Sequence, residues 1–189
     1  MIKRELYMNR IRPFIGGELI KVMTGIRRSG KSVMLELIKE ELAEAGVAPS
    51  QMISINFEDM RYSHLQTATA LHDEIIKRAE GIEGKAYLFF DEIQEVEGWE
   101  KCVNSLRVAL DCDIYITGSN AKLLSGELAT YIGGRYVGFV IYPFSFAEFL
   151  ELYHTIAPSD SIQQCFQKYL LAGGMPYLAN LRYEDTLNY

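Results

Sequence analysis

Gly25-Ile26-Arg27-Arg28-Ser29-Gly30-Lys31-Ser32 fits the pattern G-x-x-x-x-G-K-[ST], in which a glycine-rich loop offers its backbone to phosphate. The run before it, Leu19-Ile20-Lys21-Val22-Met23-Thr24, is rich in strand-forming side chains, and the run after it, Val33 to Ala45, repeats apolar residues at helical spacing. The loop therefore stands where a strand turns into a helix, the context the motif requires. Gly25 and Gly30 let the backbone turn tightly and bring successive N–H groups toward phosphate oxygens, and the positive end of the following helix adds to the attraction. Lys31 is expected to reach the β and γ phosphates, and the Ser32 hydroxyl to ligate the Mg²⁺ that bridges them. Ile26, Arg27, Arg28 and Ser29 within the loop and Val33 just after it complete the expected binding set. The ordinary alternative is a glycine-rich turn with a surface lysine. Four fixed positions agree by chance in roughly one chain in a hundred of this length, and the flanking strand and helix lower that further.

A second constellation follows downstream. Ala86 to Phe90 is a continuous apolar run of the kind found in a strand buried on both faces, and it ends abruptly in Asp91-Glu92. Asp91 is expected to hold Mg²⁺, directly or through its waters, and Glu92 to position and deprotonate an attacking water. A solvated acidic turn is the ordinary alternative. No Asn-Lys-x-Asp base-reading motif occurs, which favours ATP over GTP.

The 189 residues suffice for one well-buried α/β domain with a small appendage. A hydrophobic content of 49% beside 23% charged residues is that of a soluble globular protein, and the longest apolar run, Val137 to Phe144, is too short to span a bilayer. The N-terminal MIKRELYMNRIRPFIGG mixes charges into its apolar residues and lacks a signal-peptide core, so a cytoplasmic location is expected. Cys102, Cys112 and Cys165 are odd in number and lack metal-ligand spacing, which suits reduced packing thiols. His64, His72 and His154 are scattered and receive no role. A net charge of -6 argues against a broad, non-specific grip on nucleic acid, although Lys3, Arg4, Arg10, Arg12, Arg27 and Arg28 leave a local basic patch open.

The remaining chain alternates strands and helices. Residues 3 to 15 read as a leading helix ending near Pro13, Gln51 to Phe57 as a second strand, and Thr67 to Glu80 as a helix. Trp99, Val103, Leu106 and Leu110 mark another helix, Asp113 to Thr117 a fourth strand and Tyr136 to Tyr142 a fifth. The segment from Ala121 to Arg135 reads as helical at first and then loops through Gly133-Gly134. This alternation predicts a parallel sheet covered on both faces. From Ser145 onward the pattern turns to helices only, and Tyr183 to Tyr189 ends without a cap, as in a fragment of a longer protein. The expected division is a core over residues 1–143 and a helical lid segment over 144–189.

Taken together, GIRRSGKS, LFFDEIQ, ITGSN with the following LLSGE, GGRY and YPFSFAEFL resemble bacterial and archaeal AAA-type ATPases related to the STAND clade, over most of the chain. The resemblance implies an α/β P-loop NTPase fold, a three-layer parallel sheet with a C-terminal helical lid. It also implies that a further strand is inserted between the phosphate-loop strand and the strand bearing the acidic pair, giving strand order 5-1-4-3-2. In that order the end of the fourth strand lies beside the first, so Ser119 and Asn120 are candidates to touch the γ phosphate or the water, with a plain polar turn as the alternative. Asn120 stands where the STAND sensor has arginine. Asn56, at the end of the second strand, is a candidate restraint on Glu92, against the alternative of a structural asparagine. The resemblance makes Arg135 a candidate arginine finger or sensor, acting in its own subunit or a neighbour's, with a surface ion pair as the alternative. Gly174-Met175-Pro176 resembles the glycine-x-proline turn by which the lid contacts nucleotide, which brings Pro176 into the binding set.

The reading is an ATPase, using ATP and Mg²⁺, in which binding and hydrolysis switch the lid and a C-terminal effector region beyond this chain. Homo-oligomers and a protein or nucleic-acid partner acting through that region belong to this reading. The rivals are a non-hydrolysing nucleotide-gated scaffold and, less well matched to the Asp-Glu pair, a small-molecule kinase.

Overall fold

Five short strands, β1 (Ile20–Thr24), β2 (Met52–Asn56), β3 (Ala86–Asp91), β4 (Cys112–Thr117) and β5 (Tyr136–Val140), pair in parallel in the order β2-β3-β4-β1-β5. This is the 5-1-4-3-2 order of a P-loop NTPase fold. The computed structural model describes residues 2–118, 123, 132–156 and 158–177. Ser119, Asn120 and the segment 183–189 lie outside the described residues, as does all but Leu123 of the stretch 121–131. The apolar runs of the sequence have a direct cause: a central parallel strand is covered on both faces, and every residue of β1 is buried.

Alternation along the strands divides their side chains between two helical layers. Val22, Leu88, Phe90 and Ile116 join Leu71 and Ile75 of α3 (Ala68–Ala79) and Val103 and Leu106 of α4 (Trp99–Ala109) in one core. Met23, Phe89, Tyr115 and Phe139 face the other way. They pack with Met8 and Ile11 of α1 (Glu5–Ile11) and with Met34 and Ile38 of α2 (Lys31–Glu44). Phe89 and Tyr115 stack across β3 and β4 with ring centroids 4.8 Å apart. Burying each of these large side chains stabilises the fold by about 1.5–3 kcal/mol.

The leading helix is shorter than its sequence predicts. It gives way to a 3₁₀ turn at Arg12–Phe14, because Pro13 has no N–H to continue an α-helical ladder. Inside the sheet, the buried Lys21 ammonium donates to Asp113 and, at 3.1 Å, to the Gly17 carbonyl. The second oxygen of Asp113 accepts from the Tyr115 hydroxyl at 2.7 Å and the Gly16 N–H at 2.6 Å. Burial pulls the Lys21 pKa below its ordinary value against the opposing pull of Asp113. Every partner in this cluster is hydrogen-bonded, as a buried charge pair requires.

Beyond the sheet, α5 (Phe146–Ile156) and α6 (Ile162–Ala172) share a smaller core of Phe144, Phe149 and Cys165, to which Ile2 from the start of the chain also belongs. Phe146 meets the Phe166 ring edge-on at 5.0 Å. Ser161 caps α6 by accepting the Gln164 N–H at 3.3 Å while Gln164 returns a bond to Ser161. No helix among the described residues is long and apolar enough to cross a membrane.

Candidate nucleotide site

In a parallel sheet all strands deliver their following loops to one edge, so the residues after β1, β3 and β4 meet there. Gly25 leaves β1 pressed against the backbone: a Cβ at this position would lie 2.2 Å from the Ile141 carbonyl oxygen. Gly30 closes the loop at φ +98°, a conformation that strains any other residue, and serves as N-cap of α2. Lys31 and Ser32 are therefore the first two residues of a fourteen-residue helix whose positive end faces the loop. Ser32 and Val33 are exposed there, as are Ile26, Arg27 and Arg28.

The Lys31 side chain is nearly buried, yet its partners are all distant. Its Nζ lies 3.4 Å from the Gly25 carbonyl oxygen, 3.3 Å from that of Ile26, and 3.6 Å from Glu92 Oε1. Such long contacts hold the ammonium in the loop without saturating it, and phosphate oxygens offer shorter, charge-assisted bonds. The Ser29 hydroxyl oxygen is buried without a hydrogen-bond partner among the described residues. A loop with an under-satisfied cation, an orphaned hydroxyl and a helix N-terminus suits a nucleoside phosphate.

The acidic pair is held by β4. Thr117, the last residue of that strand, donates its hydroxyl to Asp91 Oδ1 and accepts the Glu92 N–H at 3.0 Å. Alternation places Asp91 and Thr117 on the face that α2 covers, since Phe90 and Ile116, paired in register, point to the opposite face. Glu92 turns out of the strand in a left-handed conformation, φ 55° and ψ 48°, which costs a non-glycine residue of order 1–3 kcal/mol. The turn sends its carboxylate toward Lys31, and its second oxygen accepts from Gln94 Nε2 at 2.5 Å. Asn56, the anticipated restraint, instead accepts the Glu58 N–H at 2.9 Å within its own turn.

Arg27, Arg28, Gly30, Lys31, Ser32, Val33 and Glu92 line a cavity of about 590 Å³, together with Glu58, Pro176 and Tyr177. Pro176 arrives through a close backbone crossing: the Phe144 N–H donates to the Gly174 carbonyl at 2.6 Å, and a Cβ on Gly174 would stand 2.1 Å from the Phe144 oxygen. Glu58 and Tyr177 were not foreseen in the sequence. Glu58 follows β2 at the same sheet edge, and Tyr177 directly follows the glycine-x-proline turn, so position relative to known elements was the available signal.

Arg135, a candidate for its own subunit's phosphate or a neighbour's, lies away from the phosphate loop of its own chain. It directly precedes β5, and Tyr136 pairs with Ile20 at the start of β1, whereas the phosphate loop follows Thr24 at the other end. Five residues of strand separate the two edges by about 16 Å. The exposed Arg135 guanidinium lies 3.4 Å from Asn104 Oδ1. Among the described residues no group of three or more His, Cys, Asp and Glu could hold a metal ion unaided. Of the two residues expected to hold Mg²⁺, Ser32 lines the cavity, while Asp91 is buried outside its lining with Oδ1 accepting from Thr117. The thiols take no part: Cys102 and Cys165 are buried, and burial pushes Cys102 up to about 12.

Known proteins resemble this chain in sequence and in fold. An uncharacterized protein of Haemophilus influenzae is 43% identical over 176 residues, covering 93% of this chain and 44% of the relative. An uncharacterized protein of Methanocaldococcus jannaschii is 36% identical over 166 residues, covering 83% of this chain and 35% of the relative. The chain thus spans less than half the length of these relatives. Among solved structures, Cdc6p from Pyrobaculum aerophilum superposes with a TM-score of 0.60 at 13% identity, covering 97% of this chain and 58% of that one. Orc1 of Aeropyrum pernix, solved in complex with DNA, gives 0.57 at 13% identity, covering 100% of this chain and 64% of that one. A chain of the HORMA:CdnC:Trip13 complex of Escherichia coli gives 0.57 at 12% identity, over 90% of this chain and 64% of that one. These three share the fold. The sequence model of an AAA domain family matches residues 18–150, from the approach to β1 into α5, and the chain belongs to that family.

Proposed function

We propose that this chain binds ATP and hydrolyses it to ADP and phosphate. The observation that carries the reading is the Lys31 ammonium 3.6 Å from the Glu92 carboxylate at the edge where β1 and β3 end. In this reading the loop from Gly25 to Ser32 cradles the phosphates and Lys31 leaves Glu92 for the β and γ oxygens. Glu92, freed, takes a proton from a water whose oxygen attacks the γ phosphorus. The bond from that phosphorus to the β,γ-bridging oxygen breaks and ADP departs. Ser32 and Asp91 would hold Mg²⁺, which supplies positive charge to the phosphates when bound. Val33, Pro176 and Tyr177 give the cavity its apolar wall, suited to the base. Ser119 and Asn120 remain candidates for the γ phosphate.

The arrangement of Glu92 also says what must move. Both of its oxygens are engaged, by Lys31 and Gln94, so nucleotide binding and a shift of Gln94 precede base catalysis. The proposal extends to a core over residues 1–143 and a lid over 144–189 whose Pro176 reads the nucleotide, as in STAND-related ATPases. The lid would pass the signal to an effector region in the longer protein and, through it, to a protein or nucleic-acid partner in the cytoplasm. Arg135, at the far edge of the sheet, would act on a neighbouring subunit's phosphate in a homo-oligomer. Mixing Arg135→Ala with Glu92→Gln tests that role, since the site with an intact Glu92 receives Arg135 from its neighbour and activity returns. No recovery in a mixed assembly removes the finger. Steady phosphate release from purified protein with Mg-ATP tests the reading as a whole; binding without release would establish the non-hydrolysing scaffold.

A further inference from the structure

Arg4 is 2% exposed, although in the sequence it is one of several basic residues near the N-terminus. Its backbone lies in the left-handed region at φ 48° and ψ 47°, and it caps α1 without any side-chain bond to that helix. A strained, buried arginine persists where its surroundings over-determine it. The guanidinium does so in three directions. Nη1 donates to the Ser29 carbonyl in the phosphate loop at 2.9 Å, and Nη2 to the Tyr142 carbonyl after β5 at 2.8 Å. Nε donates to Glu148 Oε1 on α5 at 2.9 Å. The charge also lies over the Tyr7 and Phe144 rings, 4.6 and 5.1 Å from their centroids.

Each end of this contact is structurally sensitive. Ser29 precedes Gly30, where a Cβ would approach Arg4 Nη1 to 3.3 Å, so the loop's turn is built against the guanidinium. Glu148 sits in the first turn of α5 and also accepts the Ser145 N–H at 2.9 Å while Ser145 Oγ accepts the Glu148 N–H at 3.3 Å, a reciprocal capping box that opens the helix. A rigid planar fork of five donors spans carbonyls and carboxylate at once, as a lysine ammonium on one flexible stem does not. A simple staple for the N-terminus would need the ion pair and the rings; it would not need the Ser29 carbonyl.

We propose that Arg4 is a positioning residue that couples the phosphate loop to the α5–α6 segment, so that the placement of Glu148 sets the shape of the loop at Ser29 and Gly30. Displacing α5 would draw on Arg4 and release the loop; ordering the loop on phosphate would in turn fix α5. The nucleotide half of this statement rests on the ATP-binding reading, while the coupling of loop and helix stands apart from it.

Amide hydrogen exchange on the full chain without nucleotide tests the coupling. In Glu148→Gln, a site outside the cavity, amides of residues 25–32 should exchange at least about tenfold faster, the equivalent of one charge-assisted hydrogen bond. Glu41→Gln is the control: it weakens a similar pair, with Arg12 at 2.9 Å, and should leave the loop unchanged. Acceleration confined to residues 145–156 overturns the proposal. Should Glu148→Gln fail to fold, Arg4→Lys decides, because it keeps the charge beside Glu148 while giving up the simultaneous reach to Ser29; an unchanged loop in that variant also overturns it. With a fluorescent ATP analogue, wild type that fails to bind would remove the ATP reading and leave the exchange result to judge the coupling.

Discussion

The Thr117 hydroxyl bridges the acidic pair, donating to the Asp91 carboxylate and accepting the backbone N–H of Glu92 at 3.0 Å. One side chain at the end of β4 thus orients Asp91 and supports the left-handed turn that aims Glu92. Thr117→Val keeps the shape and removes both bonds, leaving the Glu92 N–H without its acceptor. A lost buried bond of about 1–3 kcal/mol should lower the melting temperature by about 2–10 °C. Phosphate release should fall by at least about tenfold with ATP affinity less affected, since the residues of the phosphate loop are untouched. Calorimetry and turnover on the same preparation check both outcomes.

Lys31→Ala removes the loop's buried cation. Affinity for a fluorescent ATP analogue with Mg²⁺ should weaken by roughly tenfold to over a hundredfold, the worth of a charge-assisted contact to phosphate. Unchanged affinity in the folded variant would take the loop out of the binding site.

Gly174→Ala introduces a methyl group where the Phe144 carbonyl oxygen stands 2.1 Å away. The backbone crossing must open, and the 2.6 Å bond from the Phe144 N–H to the Gly174 carbonyl is lost with it. Pro176 and Tyr177 should then leave the cavity wall. The expected signature is faster proteolysis within residues 173–177 and weaker ATP binding, while α2 and the sheet keep their hydrogen-exchange protection.

Glu148 gives the fold an acid-sensitive joint. Burial raises its pKa, but hydrogen bonds from Arg4 and Ser145 outweigh that and set the carboxyl below its ordinary value. A depressed folded pKa contributes stability that is present above the unfolded value, about 4.3, and is lost as pH falls through the folded one. Thermal unfolding from pH 6 to pH 3 should therefore show a steeper loss of stability below about pH 4.3 in wild type than in Glu148→Gln. Identical slopes would mean that the pair adds nothing to the folded state.

Much of this architecture is legible in the sequence because its causes are local. The apolar runs before Gly25 and Asp91 mark strands covered on both faces, and the glycine and lysine spacing marks the phosphate loop. The strand order came with the family resemblance and holds. Arg4 was hidden because its acceptors, Ser29, Tyr142 and Glu148, lie far away in the chain and two of them are backbone carbonyls, which no side-chain pattern encodes. Thr117 carries no signal of its own in the sequence, because a β-branched residue at a strand end is what strand propensity alone favours. Gln94, two residues after Glu92, reaches back to it where Asn56 was anticipated. Arg135 lies away from its own chain's phosphate loop because it directly precedes β5. In a parallel sheet a residue just before a strand lies at the amino edge, opposite the loops that follow the strands.

The proposed hydrolysis turns on Glu92 taking the proton from the attacking water at a site that Lys31 and the loop have already built. The most direct measurement is ATP binding and phosphate release in Glu92→Gln beside wild type. The amide keeps the shape and the reach to Gln94 but takes up no proton, so affinity should stay within a few-fold while turnover falls by about a hundredfold or more. Equal turnover in the two proteins would rule Glu92 out as the base.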